Sequence, residues 1–154
     1  MILIKKIHPC AVMPVYGSSE AACMDVSCVE DFSLTHGETK VVKTGLKFQY
    51  IPNDLKIHVY SRSGLAAKNG IHVLNAPGVI DSDYRGELMI ILHNIGATKN
   101  FVAGDRVAQI AIEKAYKISI EESEDEVVSM RGSGGLGSTG ITLLNTPFIA
   151  TDEK

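Results

Sequence analysis

The 154-residue chain has little cysteine: Cys10, Cys23 and Cys28 are odd in number and form no CxxC pair. A disulfide framework needs paired cysteines, and a zinc site needs clustered ligands at short spacing. Neither is expected, and the three side chains read as reduced, partly buried thiols. Long apolar runs are also missing, so nothing in the sequence is fit to span a bilayer. At the start, apolar residues precede the basic pair Lys5-Lys6, whereas a secretory leader places its basic part before a longer apolar part. A cytoplasmic location follows as the expectation. Positive charge is not in excess: 15 Lys and Arg stand against 18 Asp and Glu, a formal net charge of -3. That gives no electrostatic reason to expect nucleic acid as a partner, and a small anionic substrate would need a local positive site instead. No repeat of fixed period and no sign of a second domain is present. The chain is otherwise ordinary, with 45% hydrophobic and 21% charged residues, and it is long enough to bury a sizeable core as one domain.

The hydrophobic pattern that is present is mostly that of strands. Leu46, Phe48 and Tyr50 alternate with Lys47 and Gln49, and Leu55, Ile57 and Val59 alternate with Lys56, His58 and Tyr60. Period-two alternation sends one set inward and the other outward. Leu88–Leu92 is a continuous apolar run, which predicts a strand buried on both faces; Ile110, Ile112, Ile118 and Ile120 predict further strands. His36-Gly37, Pro52-Asn53-Asp54, Asn69-Gly70, Pro77-Gly78 and Gly104-Asp105 supply turns between them. Many short strands with regular turns predict an all-β sandwich or barrel. One short helix is predicted at Leu65–Lys68, stopped by Asn69-Gly70. Glu121–Glu126 reads as a solvated acidic connector. Residues 131–140 contain five glycines, and 131–154 read as a mobile arm and tail beyond a core of 1–130.

Four clusters are hard to explain by folding alone. Ser61-Arg62-Ser63-Gly64-Leu65 joins a strand to the helix and offers a cation, hydroxyls and free amides to a phosphate, although Ser63 could simply cap the helix. The segment from Asn75 to Glu87 holds an amide, the carboxylates Asp81 and Asp83, the phenol of Tyr84 and the guanidinium of Arg85. On an extended strand Asp81 and Asp83 share a side; they could bind metal, or one could activate water while the other pairs with Arg85. The bland alternative is a polar hairpin with a local salt bridge. In Gly104–Gln109 a turn leads into a strand, and the Gln109 amide, set among apolar neighbours, needs a partner. Arg131–Gly140 could wrap phosphate with its backbone amides or serve as a linker. It lacks the Gly-Lys-Ser/Thr ending of a P-loop.

Taken together and in order, these segments resemble the trimeric dUTPase family over roughly residues 1–140. Ala21-Ala22-Cys23-Met24-Asp25-Val26 resembles the first family motif, and the Arg62, Asn75–Gly86, Gly104 and Gly-rich segments resemble the second to fifth. The third carries most of the specificity. The resemblance implies a jelly-roll-like β-clip barrel, a homotrimer with active sites shared between subunits, and hydrolysis of dUTP to dUMP and pyrophosphate with Mg2+. It implies that Asp81 orients or deprotonates the attacking water. Asn75, with Gly78, Val79 and Ile80, would read the uracil edge from a β-hairpin, Tyr84 would pack under the deoxyribose, and Met89 would join the substrate pocket. Arg62, Ser63, Gly64 and Gln109 would hold phosphate oxygens, and Asp25 would hold waters on the magnesium ion. Arg131, Leu136, Gly137 and Ser138 would close over the substrate from another subunit.

The sequence departs from the family pattern at two points. Leu136 stands where an aromatic residue usually covers the base, which implies a weaker closed state and faster product release. Cys23 stands where the first motif usually has glycine. Three rival readings share the fold: a dCTP deaminase, which would need a glutamate base facing the amino group; a regulator acting through protein contacts; and a structural trimer without catalysis. The Ile80–Tyr84 pattern favours the diphosphatase over the first. The joint presence of Asp25, Ser63, Asp81, Tyr84, Gln109 and Arg131 argues against the last.

Overall fold

A computed structural model describes residues 1–136 of the chain. Gly137 and Ser138, expected to close over substrate, lie outside the described residues. Eleven strands and one helix are present among the described residues: β1 (Leu3–Lys6), β2 (Val15–Tyr16), β3 (Met24–Ser27), β4 (Phe32–Leu34), β5 (Thr39–Tyr50), β6 (Leu55–Tyr60), α1 (Ser63–Asn69), β7 (Ile71–Val73), β8 (Gly78–Ile80), β9 (Glu87–Asn94), β10 (Lys99–Phe101) and β11 (Arg106–Lys114). All belong to one compact unit, Met1–Lys117, and a second unit begins at Ile118. No described helix is long and apolar enough to cross a membrane.

The strands form a four-stranded sheet, β1-β5-β9-β7, a five-stranded sheet, β2-β3-β11-β6-β8, and the small pair β10-β4, with every described pairing antiparallel. The expected alternation decides which side chains meet between the sheets. Val42, Leu46 and Phe48 of β5 and Leu88, Ile90 and Leu92 of β9 are buried in one cluster with Val26 of β3, Ile57 and Val59 of β6, and Ile110 of β11. Burying a side chain of this size contributes about 1.5–3 kcal/mol. This is the expected all-β fold of two layers around a single core.

Some sequence expectations are corrected. Tyr50, placed with the inward set, is 48% exposed because it ends its strand. The run Leu88–Leu92 is not buried on both faces: Leu88, Ile90 and Leu92 point to the core, while Met89 is 47% exposed and Ile91 only partly covered. Its outward residues are apolar because they wall a cavity, described below. Ile118 and Ile120 form no strand; the last described strand ends at Lys114, and both side chains are exposed. Pro77-Gly78 is not itself the turn. The turn lies at residues 74–75, and Gly78 is already the first residue of β8.

The helix is one residue longer than predicted at its C-terminus and two longer at its N-terminus. Gly70 ends it at φ 67, and its N–H reaches the carbonyls of Ala66 and Leu65. Left-handed backbone there favours glycine. Ser63 does not cap the helix, since Arg62 occupies that position without a side-chain capping bond.

The loop after β9 depends on a fully buried amide. Asn94 donates to the carbonyls of Leu34 (2.8 Å) and Ala97 (3.0 Å) and accepts from the Gly96 N–H (2.8 Å). Asn94→Ala would leave those groups dry and a void beside them. The expected loss is about 2–4 kcal/mol in the free energy of urea unfolding; a loss within about 0.5 kcal/mol, the range of a neutral surface substitution, would contradict this role.

Candidate active site

Two groups of polar residues stand out at the ends of the strands. The first surrounds a cavity of about 360 Å³. Of the residues singled out in the sequence, Asn75, Gly78, Val79, Ile80, Asp81, Tyr84 and Met89 all line it, with Val41 and Ile91 adding apolar wall. Its shape follows from a chain that crosses from one sheet to the other and back: β7 and β9 belong to the four-stranded sheet and β8 to the five-stranded one. β8 pairs with β6, Gly78 opposite Val59 and Ile80 opposite Ile57, and the chain then turns back into β9. Gly78 is needed for close packing: a Cβ there would stand 3.2 Å from the Asn75 amide and 3.4 Å from Val59. Gly86 is needed for the same reason, because a Cβ would fall on the Tyr84 ring.

The loop between β8 and β9 is held by its own side chains. Tyr84 N–H donates to the Asp81 carbonyl (3.1 Å), and the Tyr84 hydroxyl donates to the Glu87 carbonyl (2.9 Å). Arg85 donates to the carbonyls of Ser82 (2.8 Å) and Tyr84 (2.9 Å). Two expectations are corrected here. Asp81 and Asp83 do not share a side of an extended strand, because residues 82–83 form a turn. Arg85 makes no ion pair with Asp83; it closes the turn through carbonyls. The Asp81 carboxylate is exposed and accepts no hydrogen bond from the described residues, so it is free to take one from water.

Glu87 supports this cavity from its side. Its Oε1 accepts the Gly45 N–H (2.8 Å), and the Thr44 hydroxyl donates to the Leu88 carbonyl (2.6 Å). The two bonds span the point where the β5–β9 register shifts.

The second group centres on Asp25. Its Oδ1 accepts from Arg62 Nε (3.0 Å) and its Oδ2 from Arg106 (2.7 Å), while Arg62 also donates to the Arg106 carbonyl (2.9 Å). The Asp25 side chain is only 17% exposed. Gln109, opposite both Asp25 and Tyr60 in the sheet, donates to the Ser61 carbonyl (3.1 Å), which is the partner its amide was expected to need. Ser63 and Gly64 follow at the start of α1. None of Asp25, Arg62, Ser63, Gly64 or Gln109 lines the cavity. The link between the groups is Ser61, whose hydroxyl accepts the Val73 N–H (2.9 Å) on the strand that leads into β8. Arg131 makes a local bond to the Gly134 carbonyl (3.0 Å), and Leu136 is exposed with φ 41.

Arg106 was not singled out in the sequence. It and Gln109 are three residues apart, and the β3–β11 register shifts between Arg106 and Ala108, so neither strand period connects them. A second missed cluster lies on β6 and β11. Glu113 accepts from the Tyr60 hydroxyl (2.9 Å) and stands 3.0 Å from His58 Nδ1. The bond to Tyr60 holds the Glu113 carboxyl below its usual range, and the same bond raises the Tyr60 phenol. Burial pushes the Cys28 thiol up, and the nearby Asp105 carboxylate adds to the effect. That fits an unreactive thiol.

No group of three or more His, Cys, Asp or Glu among the described residues is placed to hold a metal ion. Both Asp25 oxygens are engaged by arginines.

These features define an all-β protein whose pocket at β8 and β9 presents a free carboxylate and whose sheet end carries an arginine-clamped aspartate. Residues 10–140 match the dUTPase family model. Among curated relatives, the chain is 43% identical over 140 residues to the deoxyuridine 5'-triphosphate nucleotidohydrolase of Wolinella succinogenes, covering 90% of this chain and 93% of that protein. It is 40% identical to that of Clostridium novyi, covering 91% and 99%. Among solved structures, the dUTPase of Staphylococcus bacteriophage 80alpha with dUPNHPP has a TM-score of 0.81 at 26% identity, covering 92% and 99%. A point mutant of the dUTPase from phage phi11 of S. aureus, with a structural Mg(II) ion, has a TM-score of 0.75 at 22% identity and covers 82% and 98%, which shows the shared fold. The chain belongs to the dUTPase family.

The clamp predicts an order of stability effects. Arg106 is more than half exposed, so Arg106→Ala is expected to cost only about 1 kcal/mol after solvent screening. Asp25→Ala strands two guanidiniums and is expected to cost about 2–3 kcal/mol. Urea unfolding that gives equal or reversed losses would contradict the clamp.

Proposed function

We propose that this chain hydrolyses dUTP to dUMP and pyrophosphate by water attack at the α-phosphorus, limiting uracil in DNA and supplying dUMP for dTMP synthesis. As a member of the family, it is a dUTP diphosphatase. The observation that carries the residue-level reading is the Asp81 carboxylate, which accepts no hydrogen bond from the described residues, in a cavity whose other carboxylate, Glu87, is engaged by the Gly45 N–H. A carboxylate that accepts no protein hydrogen bond can hold a water and take its proton as the new P–O bond forms.

The remaining roles follow from residue chemistry. Asn75 and the backbone of Gly78, Val79 and Ile80 offer the donors and acceptors that read the uracil edge. Buried polar groups left unpaired by a wrong base are costly, so discrimination against cytosine is large. Tyr84, fixed by its bond to the Glu87 carbonyl, supports the deoxyribose. Met89 adds apolar wall. Arg62, Ser63, Gly64 and Gln109 bind phosphate oxygens, and Arg131, Leu136, Gly137 and Ser138 cover the bound substrate. Bound Mg2+ supplies charge neutralisation to the triphosphate, and Asp25 is the residue that would hold it through water. The reaction then depends on positioning and electrostatics, with no covalent intermediate.

None of Asp25, Arg62, Ser63, Gly64 or Gln109 lines the cavity, and Val41, Val79 and Met89 leave apolar surface at it. Both observations support a homotrimer with sites shared between subunits. The reading places the enzyme in the cytoplasm, or the host cytoplasm if the source is viral, without nucleic acid or membrane as partner.

The test is pyrophosphate release from dUTP with Mg2+, beside dCTP, dTTP and UTP. Release from dUTP alone is expected, with kcat reduced at least about 10²-fold in a folded Asp81→Asn variant. Ammonia from dCTP, or equal activity in the variant, would overturn the assignment.

A further inference from the structure

Away from the cavity's carboxylate, the outer face of the four-stranded sheet carries two histidines. His72 of β7 and His93 of β9 are direct cross-strand partners, and their ring centroids are 5.5 Å apart at an interplanar angle of 76°. Directly opposed side chains on antiparallel strands are held at a fixed short separation by the backbone. We propose that His72 and His93 form a two-imidazole chelate for a late first-row divalent cation such as Zn2+.

The separation suits a shared ion. With Zn–N bonds of about 2.0–2.1 Å, each ring centroid stands about 3.2 Å from the metal, and two rings at a tetrahedral angle are then about 5.2 Å apart. The rings also differ in their own partners in a useful way. His93 Nδ1 lies 2.9 Å from the Thr39 hydroxyl, on the strand paired to the other side of β9. Donating its Nδ1–H to that oxygen fixes the tautomer that leaves Nε2 free for metal, the supporting arrangement usual for ligating histidines. His72 has no hydrogen-bond partner among the described residues, so metal binding breaks no existing bond of that ring. No carboxylate among the described residues pairs with either ring. Both side chains are partly exposed, so an ion can reach them in the chain as described.

The ligand type sets the ion class. Imidazole suits Zn2+, Ni2+ and Cu2+, whereas Mg2+ prefers oxygen ligands, so the magnesium used with a nucleotide does not compete. The pair supplies two positions of a tetrahedral site and water fills the rest. Because β7 leads through Asn75 into β8, the bound ion ties the root of the cavity to β9.

The experiment is a Zn2+ titration of EDTA-stripped full-length protein in excess Mg2+, followed by calorimetry and by the imidazole signals of 15N-labelled histidine. One ion per chain is expected, with shifts confined to His72 and His93. Binding is expected to vanish in H72Q and in H93Q and to weaken about tenfold in T39V. H8Q is the control, because His8 and Cys10 are neighbours that could hold Zn2+ by themselves. Absence of saturable binding by wild-type protein would overturn the proposal. So would binding that survives in both H72Q and H93Q, or that is lost in H8Q. The wild-type spectra decide the point even where a variant folds poorly.

Discussion

The aspartate caught between two guanidiniums is the constraint on which the polar end of this fold depends. Asp25 sits on β3, Arg62 just beyond β6 and Arg106 at the start of β11, so one carboxylate fixes three chain segments. Charge-assisted bonds of this kind are stronger than neutral ones, and partial burial shields them from solvent. They leave Ser63 and Gly64 at a defined place at the start of α1. They also explain why a lone acid on β3 is compatible with folding: its charge is offset before any ligand arrives.

The cavity is set by different physics. Its floor is β9, a strand that is apolar on both faces for two separate reasons. Leu88, Ile90 and Leu92 fill the core, while Met89 and Ile91 wall the cavity. The loop above it is held by local bonds from Tyr84 and Arg85 to carbonyls, with Gly86 where a Cβ would collide with the Tyr84 ring and Gly78 where one would be tight against Asn75. The result is a carboxylate, Asp81, held in place by backbone rather than by partners of its own. That combination of fixed position and free lone pairs is what activation of water demands.

Much of this was legible in the sequence, and the limits are physical. Alternation found β5 and β6, because a half-buried sheet enforces a period of two. The continuous run Leu88–Leu92 located β9 but misread Met89 and Ile91 as core, because an apolar wall of a cavity and an apolar core have the same composition. The alternation at Ile118 and Ile120 predicted a strand, but no described strand includes them. The segment from Asn75 to Tyr84 was legible as a set because its residue types are a poor choice for folding alone. Its geometry was not: Asp81 and Asp83 are separated by a turn, and Arg85 binds carbonyls in preference to Asp83. Arg106 was hidden because it stands three residues from Gln109, which a strict period of two puts on opposite faces, and only the register shift in β11 brings both toward Asp25. The His58–Tyr60–Glu113 cluster was half visible, since His58 and Tyr60 share the outward face of β6, but Glu113 joins them only through strand pairing.

The central claim is that the Asp81 cavity and the Asp25–Arg62 group act on one substrate although the Asp25 group lines no part of that cavity within the chain. Mixed assembly of two separately inactive proteins, Asp81→Asn and Arg62→Ala, tests it most directly. Unfolding the two together and refolding them should restore dUTP hydrolysis, because some sites in the mixed trimers receive an intact cavity from one subunit and an intact arginine from another. Activity no higher than that of either variant alone, from mixtures shown to contain both chains in one trimer, would contradict the account and confine each site to a single chain.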